Sequence, residues 1–310
     1  MKKIFALVLA LTMLLCVAAS AEVTAKVALI TMDSIDEYWV GMQEGAYAKV
    51  DELNAEGNNI EIVWLAPETK DNQQQIEKIQ SAIADSVDYI LIAANDATSC
   101  NRALQEALDA GIKIIYVDAA ATLEASATFM TNNFQGGVTA GEYMLNLLTE
   151  KGITSGTIGI VDAQPGVQSC QDRYDGFVSA FEGTEFVFSE RQYSDGDIAK
   201  AQELGTTLIN NGVVAIYGTN NGATIGAAAA CKDAANNGTT VYCVGWDSSE
   251  ANNAHIEGGE LNAYMLQNPD VMGAMGVEAV VALANGEDLG GEVVDTGVTV
   301  VDASNIDQYK

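Results

Sequence analysis

Short apolar runs rich in β-formers alternate with longer helical stretches along this chain. In the first half, residues 26–31, 60–65, 89–94 and 112–117 are predicted strands, and residues 42–53, 73–85 and 101–110 are the helices between them. In the second half, residues 157–161, 186–189, 213–217 and 241–244 are predicted strands, and residues 173–181, 198–210 and 223–236 are predicted helices. This alternation predicts an α/β fold with parallel sheets and right-handed crossovers.

The two halves correspond in detail, which predicts two similar lobes. The first strand of each half precedes an acidic residue and a glycine at the same spacing, Glu44-Gly45 in the first half and Asp175-Gly176 in the second. An asparagine follows the third strand of each half, Asn95 in the first and Asn220 in the second. Asp118 ends the fourth strand of the first half, and Asp247 ends the fourth strand of the second.

An aromatic ring and a carboxylate, Trp246 and Asp247, stand together at the end of an apolar run. Ligands of open α/β sheets bind outside the carboxyl ends of the strands. A flat ring beside a carboxylate suits a ligand with an apolar face and a rim of hydroxyls, such as a sugar. If the lobes face each other, Asp118 and Asp247 line a common cleft. The alternative is a core tryptophan, with each aspartate capping the helix after its strand.

Two adjacent aromatic residues, Tyr38 and Trp39, follow the first strand and precede a helix. Sugar C–H faces pack on aromatic faces, and a tyrosine hydroxyl adds a polar group. Asp36 is placed to accept hydrogen bonds from ligand hydroxyls. The alternative is that the two aromatic side chains form a hydrophobic staple for the helix.

The second half offers polar side chains at equivalent positions. Gln171, where a helix opens, is both donor and acceptor, and Asn220 brings an amide to another strand end. Arg173 either contacts ligand or pairs with Asp172 or Asp175 as a structural residue.

Gln267 follows another short strand and precedes Pro269 by two residues. Proline cannot continue a regular ladder. This segment is therefore predicted to cross between the lobes with Gln267 at the hinge, and the alternative is an ordinary turn.

The first 21 residues have the pattern of a secretory signal peptide. Lys2 and Lys3 precede an apolar stretch, and Ala19-Ser20-Ala21 is a small-residue cleavage site. We therefore expect a periplasmic, extracellular or cell-surface protein. The net charge of −29 disfavours binding to nucleic acid or anionic lipid.

Catalytic and metal-binding patterns are missing from the sequence. It contains no Gly-x-Ser-x-Gly, Gly-x-Gly-x-x-Gly or Walker motif. His255 is the single histidine, and the cysteines form no Cys-x-x-Cys pair, which argues against zinc. We expect no enzyme activity and no cofactor, although Asp118 and Asp247 are compatible in principle with glycosidase chemistry. Cys100, Cys170, Cys231 and Cys243 are expected to be buried free thiols, with one disulfide as the alternative.

An ordered set of short motifs resembles the ribose- and galactose-type (type I) periplasmic solute-binding proteins. The resemblance covers nearly all of the chain after the signal peptide. It is carried by these segments: Tyr38-Trp39-Val-Gly41, Tyr116-Val-Asp118, Asp172-Arg173-Tyr-Asp-Gly176-Phe177, Thr219-Asn220-Asn221, Val244-Gly-Trp-Asp247 and Leu266-Gln267-Asn-Pro269-Asp270.

The resemblance implies two Rossmann-like lobes joined by a three-segment hinge. The implied boundaries are residues 22–131 plus 268–296 for the N-terminal lobe and residues 132–267 plus 297–310 for the C-terminal lobe. It further implies that ligand hydroxyls are bound by Asp36, Asp118, Asn220, Asp247 and Gln267, and that the ring is held between Tyr38, Trp39 and Trp246. It implies a monomer that closes around a sugar and delivers it to an ABC transporter permease, or that presents the sugar to a chemoreceptor or sensor kinase.

Two positions depart from the family's pattern. Ala119 and Gln171 stand where pentose and hexose binders usually have arginine. Both changes remove a bidentate donor to the sugar oxygens. The expected ligand is therefore a neutral sugar or polyol other than ribose or galactose themselves.

Overall fold

The computed structural model describes residues 22–309. The predicted signal peptide lies outside this range. Among the described residues, no helix is both long and apolar enough to cross a membrane.

The elements follow one another in the order that the sequence predicts, with several additions. The first part contains β1 (Thr24–Ile30), α1 (Glu37–Ala55), β2 (Asn59–Trp64), α2 (Asn72–Ala84), β3 (Tyr89–Ile92), α3 (Asn101–Asp109), β4 (Lys113–Val117) and β5 (Ala127–Met130). The second part contains α4 (Asn133–Glu150), β6 (Ser155–Asp162), α5 (Gln168–Ser179), β7 (Glu185–Tyr193), α6 (Ile198–Asn210), β8 (Ala215–Gly218), α7 (Asn221–Asn236), β9 (Tyr242–Trp246), α8 (Glu250–Gly258) and β10 (Ala263–Gln267). The chain ends with α9 (Pro269–Ala284), β11 (Glu292–Asp295), β12 (Val298–Asp302) and a short 3₁₀ helix (Ile306–Gln308).

These elements form two six-stranded sheets, which confirms the predicted α/β fold. The first sheet has the order β11-β5-β4-β3-β1-β2, with every pair parallel. The second has the order β12-β10-β9-β8-β6-β7, and only β12 is antiparallel to its neighbour among the described strands. We call the first sheet with α1, α2, α3 and α9 the first lobe, and the second sheet with α4 to α8 the second lobe.

Each sheet is covered on both faces, which is why its central strands read as continuous apolar runs. In β1, Val27 and Leu29 pack into one core cluster, whereas Ala28 and Ile30 pack into the cluster on the opposite face. This alternation follows from the two-residue period of a strand. The second lobe has a corresponding pair of clusters.

Three segments connect the lobes. The chain passes from β5 to α4, from β10 to α9, and from β11 to β12. The family resemblance implies hinge crossings at these connections, near Thr131-Asn132, Gln267-Asn268 and Thr296-Gly297. The side-chain amide of Asn268 donates to the carbonyls of Thr296 (3.0 Å) and Gly297 (3.4 Å), which ties two of the segments together. The domain boundaries themselves stay a prediction.

The helices α4 and α9 were not predicted, and both carry interior glycines, which disfavour helix. The glycines of α4 and α9 lie at close helix crossings, because a Cβ on Gly137 in α4 would lie 2.2 Å from the carbonyl oxygen of Arg173 in α5, and one on Gly273 in α9 would lie 2.2 Å from that of Met42 in α1. The partner helices carry matching glycines. A Cβ on Gly45 in α1 would lie 2.1 Å from the carbonyl oxygen of Asp270 in α9, and a Cβ on Gly176 in α5 would lie 1.9 Å from that of Phe134 in α4. The Gly45 and Gly176 motifs that the two halves share are therefore equivalent helix-crossing points.

Candidate functional site

A cleft of about 780 Å³ lies between the lobes, at the carboxyl ends of both sheets. Of the nine predicted site residues, six line it: Asp36, Tyr38, Trp39, Asp118, Asp247 and Gln267. The first lobe adds Lys70, and the second adds Asn133, Arg173 and Asn221. The cleft is therefore built from loops and strand ends of both halves of the repeat.

The two equivalent aspartates, Asp118 and Asp247, have the same unusual backbone. Both lie in the left-handed region, with φ of 64° and 68°, which few residues other than glycine adopt. Each backbone N–H donates to the next strand, from Asp118 to Phe129 O (2.8 Å) and from Asp247 to Met265 O (3.0 Å). The alternative that they cap helices is wrong, because Ser249 caps α8 and a strand rather than a helix follows Asp118. Such strained conformations concentrate at functional sites.

The first lobe presents Asp118 together with the aromatic pair. The hydroxyl of Tyr38 donates to Oδ1 of Asp118 at 2.7 Å, and the Tyr38 ring meets Trp39 edge to face, with centroids 4.8 Å apart. Burial raises the pKa of the Asp118 carboxyl, and the Tyr38 hydrogen bond opposes that rise. Asp36 caps α1 by accepting from the Tyr38 backbone N–H at 3.0 Å. Capping by Asp36 explains why α1 begins at Glu37, earlier than predicted.

Trp39 is largely a core residue with one part at the cleft. It is 3% exposed, and its indole N–H has no hydrogen-bond partner among the described residues. The ammonium of Lys70 lies 5.7 Å from the centre of its ring. Lys70 comes from the loop between β2 and α2, which offered no sequence signal beyond its charge.

In the second lobe, Asp247 is held between an amide and a guanidinium. The side chain of Gln267 donates to Oδ1 of Asp247 at 2.8 Å, and NH1 of Arg173 lies 3.9 Å from Oδ2. The Asp247 side chain remains 23% exposed. It is therefore fixed in direction while part of it still faces the cleft.

Arg173 is a cleft residue whose partners differ from those expected. Its guanidinium donates to Asn133 Oδ1 (2.8 Å) and to the Thr219 carbonyl (3.1 Å), rather than pairing with Asp172 or Asp175. It also lies over the ring of Trp246, 3.8 Å from the ring centre. Sequence reasoning left its role open, and the structure gives it both a structural role and a position in the cleft lining.

Trp246 does not reach the cleft, contrary to the stacking role expected for it. Its side chain is fully buried, and the indole N–H donates to the Tyr217 hydroxyl at 2.6 Å. The strand β9 ends at Trp246, whose ring stays in the core under the guanidinium of Arg173. The left-handed backbone of Asp247 begins the loop after the strand, and its side chain lines the cleft.

Gln171 and Asn220 also lie outside the cleft lining. The side chain of Gln171 accepts from Arg191 and donates to Asp175 at 2.8 Å, so both of its polar atoms are engaged by neighbouring side chains outside the cleft. Asn220 caps α7 by accepting from the Ala223 N–H at 3.0 Å.

Asn221 takes the position in the cleft that was expected for Asn220. Its Oδ1 accepts from the side chain of the fully buried Asn252 at 2.9 Å. The same Asn252 amide donates to the carbonyl of Asp247, also at 2.9 Å. Asn252 thus positions two cleft residues, and because it lies five residues beyond Asp247 in a helix, no motif indicated it.

The comparisons with known proteins agree with this geometry. The profile of the periplasmic binding protein domain matches residues 27–288. This chain belongs to that family. Membership confirms the resemblance and identifies a solute-binding protein rather than an enzyme.

Relatives of this periplasmic binding protein extend over nearly its whole length. The ribose import binding protein of Escherichia coli (strain K12) is 26% identical over 291 residues, which cover 93% of this chain and 94% of the relative. The D-allose-binding periplasmic protein of the same organism is 25% identical over 280 residues, covering 86% of this chain and 87% of the relative.

Solved structures share the fold. A sugar-binding protein of a sugar ABC transporter from Bacillus halodurans superposes with a TM-score of 0.84 at 22% identity, covering 93% of this chain and 100% of the other. The arabinose-binding protein AraP of Geobacillus stearothermophilus gives a TM-score of 0.82 at 23% identity, covering 93% and 99%.

Proposed function

We propose that this protein captures a neutral sugar or sugar-like polyol in the cleft and delivers it to an ABC importer. The observation that carries the proposal is the pair of equivalent carboxylates, Asp118 and Asp247, which enter one cleft from both lobes. Carboxylate oxygens accept hydrogen bonds from hydroxyls. Tyr38, Gln267 and Asn221 supply further polar atoms beside them.

The charge of the cleft supports a ligand without negative charge. Five acidic and two basic side chains line it among the described residues. Of the two cations, Arg173 is engaged by Asn133, by Thr219 and by the nearby Asp247. A negative cleft repels anions, so acidic and phosphorylated sugars are poor ligands in this proposal.

Binding would work by hinge closure. A ligand that contacts only one lobe gains nothing from closure, whereas a ligand that bonds to Asp118 and Asp247 together favours the closed form by its extra contacts. The three connecting segments between the lobes are the hinge in this proposal. The protein acts as an exported monomer.

Relatives named for import, such as the ribose import binding protein, support transport over presentation to a chemoreceptor or sensor kinase. Other relatives and neighbours are named for allose and arabinose. The ligand of this chain is therefore sought first among neutral pentoses, hexoses and their polyols.

The test is a titration of purified protein with neutral aldoses, ketoses and polyols, and with matched uronic acids and sugar phosphates. We expect at least one neutral ligand to raise the melting temperature and to change tryptophan fluorescence, and its acidic counterpart to do neither. If no neutral compound changes the melting temperature or the tryptophan fluorescence, the result would count against sugar binding. Unchanged uptake of the bound sugar by a strain lacking the gene would count against transport.

A further inference from the structure

Two of the four described cysteines face each other in the second lobe. Cys231 lies in α7 and Cys243 in β9, and both are buried in the same core cluster, 2% and 0% exposed. Both thiols are free in the structure, and the neighbouring Cys231 thiol is the first cause, ahead of burial, that raises the pKa of Cys243. By contrast, the thiol of Cys170 contacts the Thr219 carbonyl at 3.9 Å, and Cys100 lies in the core of the first lobe.

The packing of α7 on β9 makes this juxtaposition a property of the fold. The Trp246 N–H donates to the Thr224 hydroxyl at 2.9 Å, and a Cβ on Gly245 would lie 2.1 Å from that oxygen, so helix and strand touch at this point. Cys231 is seven residues beyond Thr224, which is two helical turns along the same face. Cys243 is two residues before Gly245, on the same face of the strand. Because α7 runs opposite to β9, the two steps lead in the same direction, about 10.5 Å along the helix and about 6.6 Å along the strand, and both cysteines lie in one core cluster.

We propose that Cys231 and Cys243 form a disulfide that fastens α7 to β9 in the exported protein. Disulfides form in oxidising extracytoplasmic compartments, so the proposal adds to the export proposed above. The bond would brace the cleft wall, since α7 begins at Asn221 and β9 leads directly into Asp247, and both residues line the cleft.

The chemistry requires a disulfide oxidant and access to the thiols. The thiolate of one cysteine attacks an oxidant RSSR, which forms a mixed disulfide and releases RS⁻. The second cysteine then attacks the protein sulfur of that mixed disulfide, which releases a second RS⁻ and closes the bond. Two protein thiols are oxidised, one RSSR is reduced to two RSH, and two protons move to the released thiolates. Because the neighbouring Cys231 thiol and burial raise the pKa of Cys243, the folded pair reacts slowly, and the disulfide forms during folding.

Trypsin separates the four cysteines, which makes the pairing directly readable. Cleavage after Lys and Arg places Cys100 on peptide 79–102, Cys170 on 152–173, Cys231 on 201–232 and Cys243 on 233–310. The reduced full chain is refolded with glutathione disulfide, alkylated under denaturing conditions, digested without reductant and analysed by mass spectrometry.

We expect peptides 201–232 and 233–310 to be joined and the other two to carry the alkyl group. Reduction should separate them and lower the melting temperature by about 5–10 °C, as for a loop of this length. Cys231→Ala should abolish the cross-link, and it suits a helix face already rich in alanine. Cys100→Ser is the matched control and should retain the cross-link. Alkylation of all four cysteines, or a cross-link to either of the other two peptides, would overturn the proposal, whatever the sugar titration shows.

Discussion

Asp247→Asn tests the central acceptor of the proposed site with little change to the backbone. Asparagine, like aspartate, tolerates the left-handed conformation that Asp247 adopts at φ 68°. Its carbonyl oxygen can still accept from Gln267, which now donates to Oδ1 at 2.8 Å. The atom that changes is the other oxygen, which becomes an NH₂ group facing the cleft and Arg173.

The expected loss follows from one hydrogen bond between a charged acceptor and a ligand hydroxyl. Hydrogen bonds to charged groups contribute about 1.5–3 kcal/mol, and this corresponds to about a 10- to 150-fold rise in Kd. Gln267 and Arg173 are retained, and part of the Asp247 side chain remains open to solvent. The melting temperature of the unliganded protein should therefore change little.

The assay is calorimetric titration of the wild-type protein and the variant with the neutral ligand identified by the panel. Asp195→Asn is the matched control, because Asp195 also has a positive φ of 56° but is exposed and pairs with Lys200. It should leave Kd unchanged. If Asp247→Asn folds normally and binds within twofold of the wild type, Asp247 is not a ligand acceptor and the reasoning from the equivalent aspartates fails.

Three further predictions concern pH, helix packing and the core tryptophan. Burial raises the folded-state pKa of Asp118, so the folded protein holds that proton more tightly than the unfolded chain. This group's contribution to stability should then fall as pH rises from its ordinary value of 3.8 towards the folded pKa, and melting curves of Asp118→Asn should lack that fall. Gly45→Ala should destabilise the fold by about 1–3 kcal/mol, whereas Gly41→Ala, with its nearest contact at 3.6 Å, should not; equal urea midpoints would contradict the close crossing. Trp246→Phe should lower stability by about 1–3 kcal/mol in thermal melts, because the Tyr217 hydroxyl loses the indole N–H from which it accepts and keeps only its bond to the Arg173 carbonyl. A fall in sugar affinity larger than that of Asp247→Asn would instead restore a stacking role for Trp246.

The sequence predicted the order of strands and helices because apolar runs and turn residues report local structure directly. It did not predict α4 and α9, in which glycines serve contacts with helices distant in sequence. Helix propensity penalises glycine, whereas the close approach of Gly273 in α9 to the Met42 carbonyl of α1 requires it. Only the position of the partner helix shows whether low helix propensity or close helix packing decides the structure at such a glycine.

Periodicity also separates the site residues that were predicted from those that were not. On α5, Gln168, Ser169, Asp172 and Arg173 line the cleft, and at about 100° per residue Gln171 lies about 60° outside the arc that they span, next to Gln168. A helical wheel therefore places Gln171 at the margin of the cleft face, and its bonds to Arg191 and Asp175 hold it away from the cleft. Asn221 rather than Asn220 lines the cleft for a related local reason. Asn220 caps α7, so its side chain turns back to the helix N–H groups.

The repeat and the individual side chains make different contributions to the site. Equivalent strand ends give Asp118 and Asp247 the same φ and the same hydrogen bond to the following strand. Their partners are unrelated, a tyrosine hydroxyl for Asp118 and an amide with a guanidinium for Asp247. Because the backbone is shared and the partners are not, the two acceptors oppose each other across the cleft in different electrostatic surroundings. A ligand bound between them therefore meets two distinguishable ends, which favours one orientation over its reverse and makes closure selective for shape as well as for hydroxyl content.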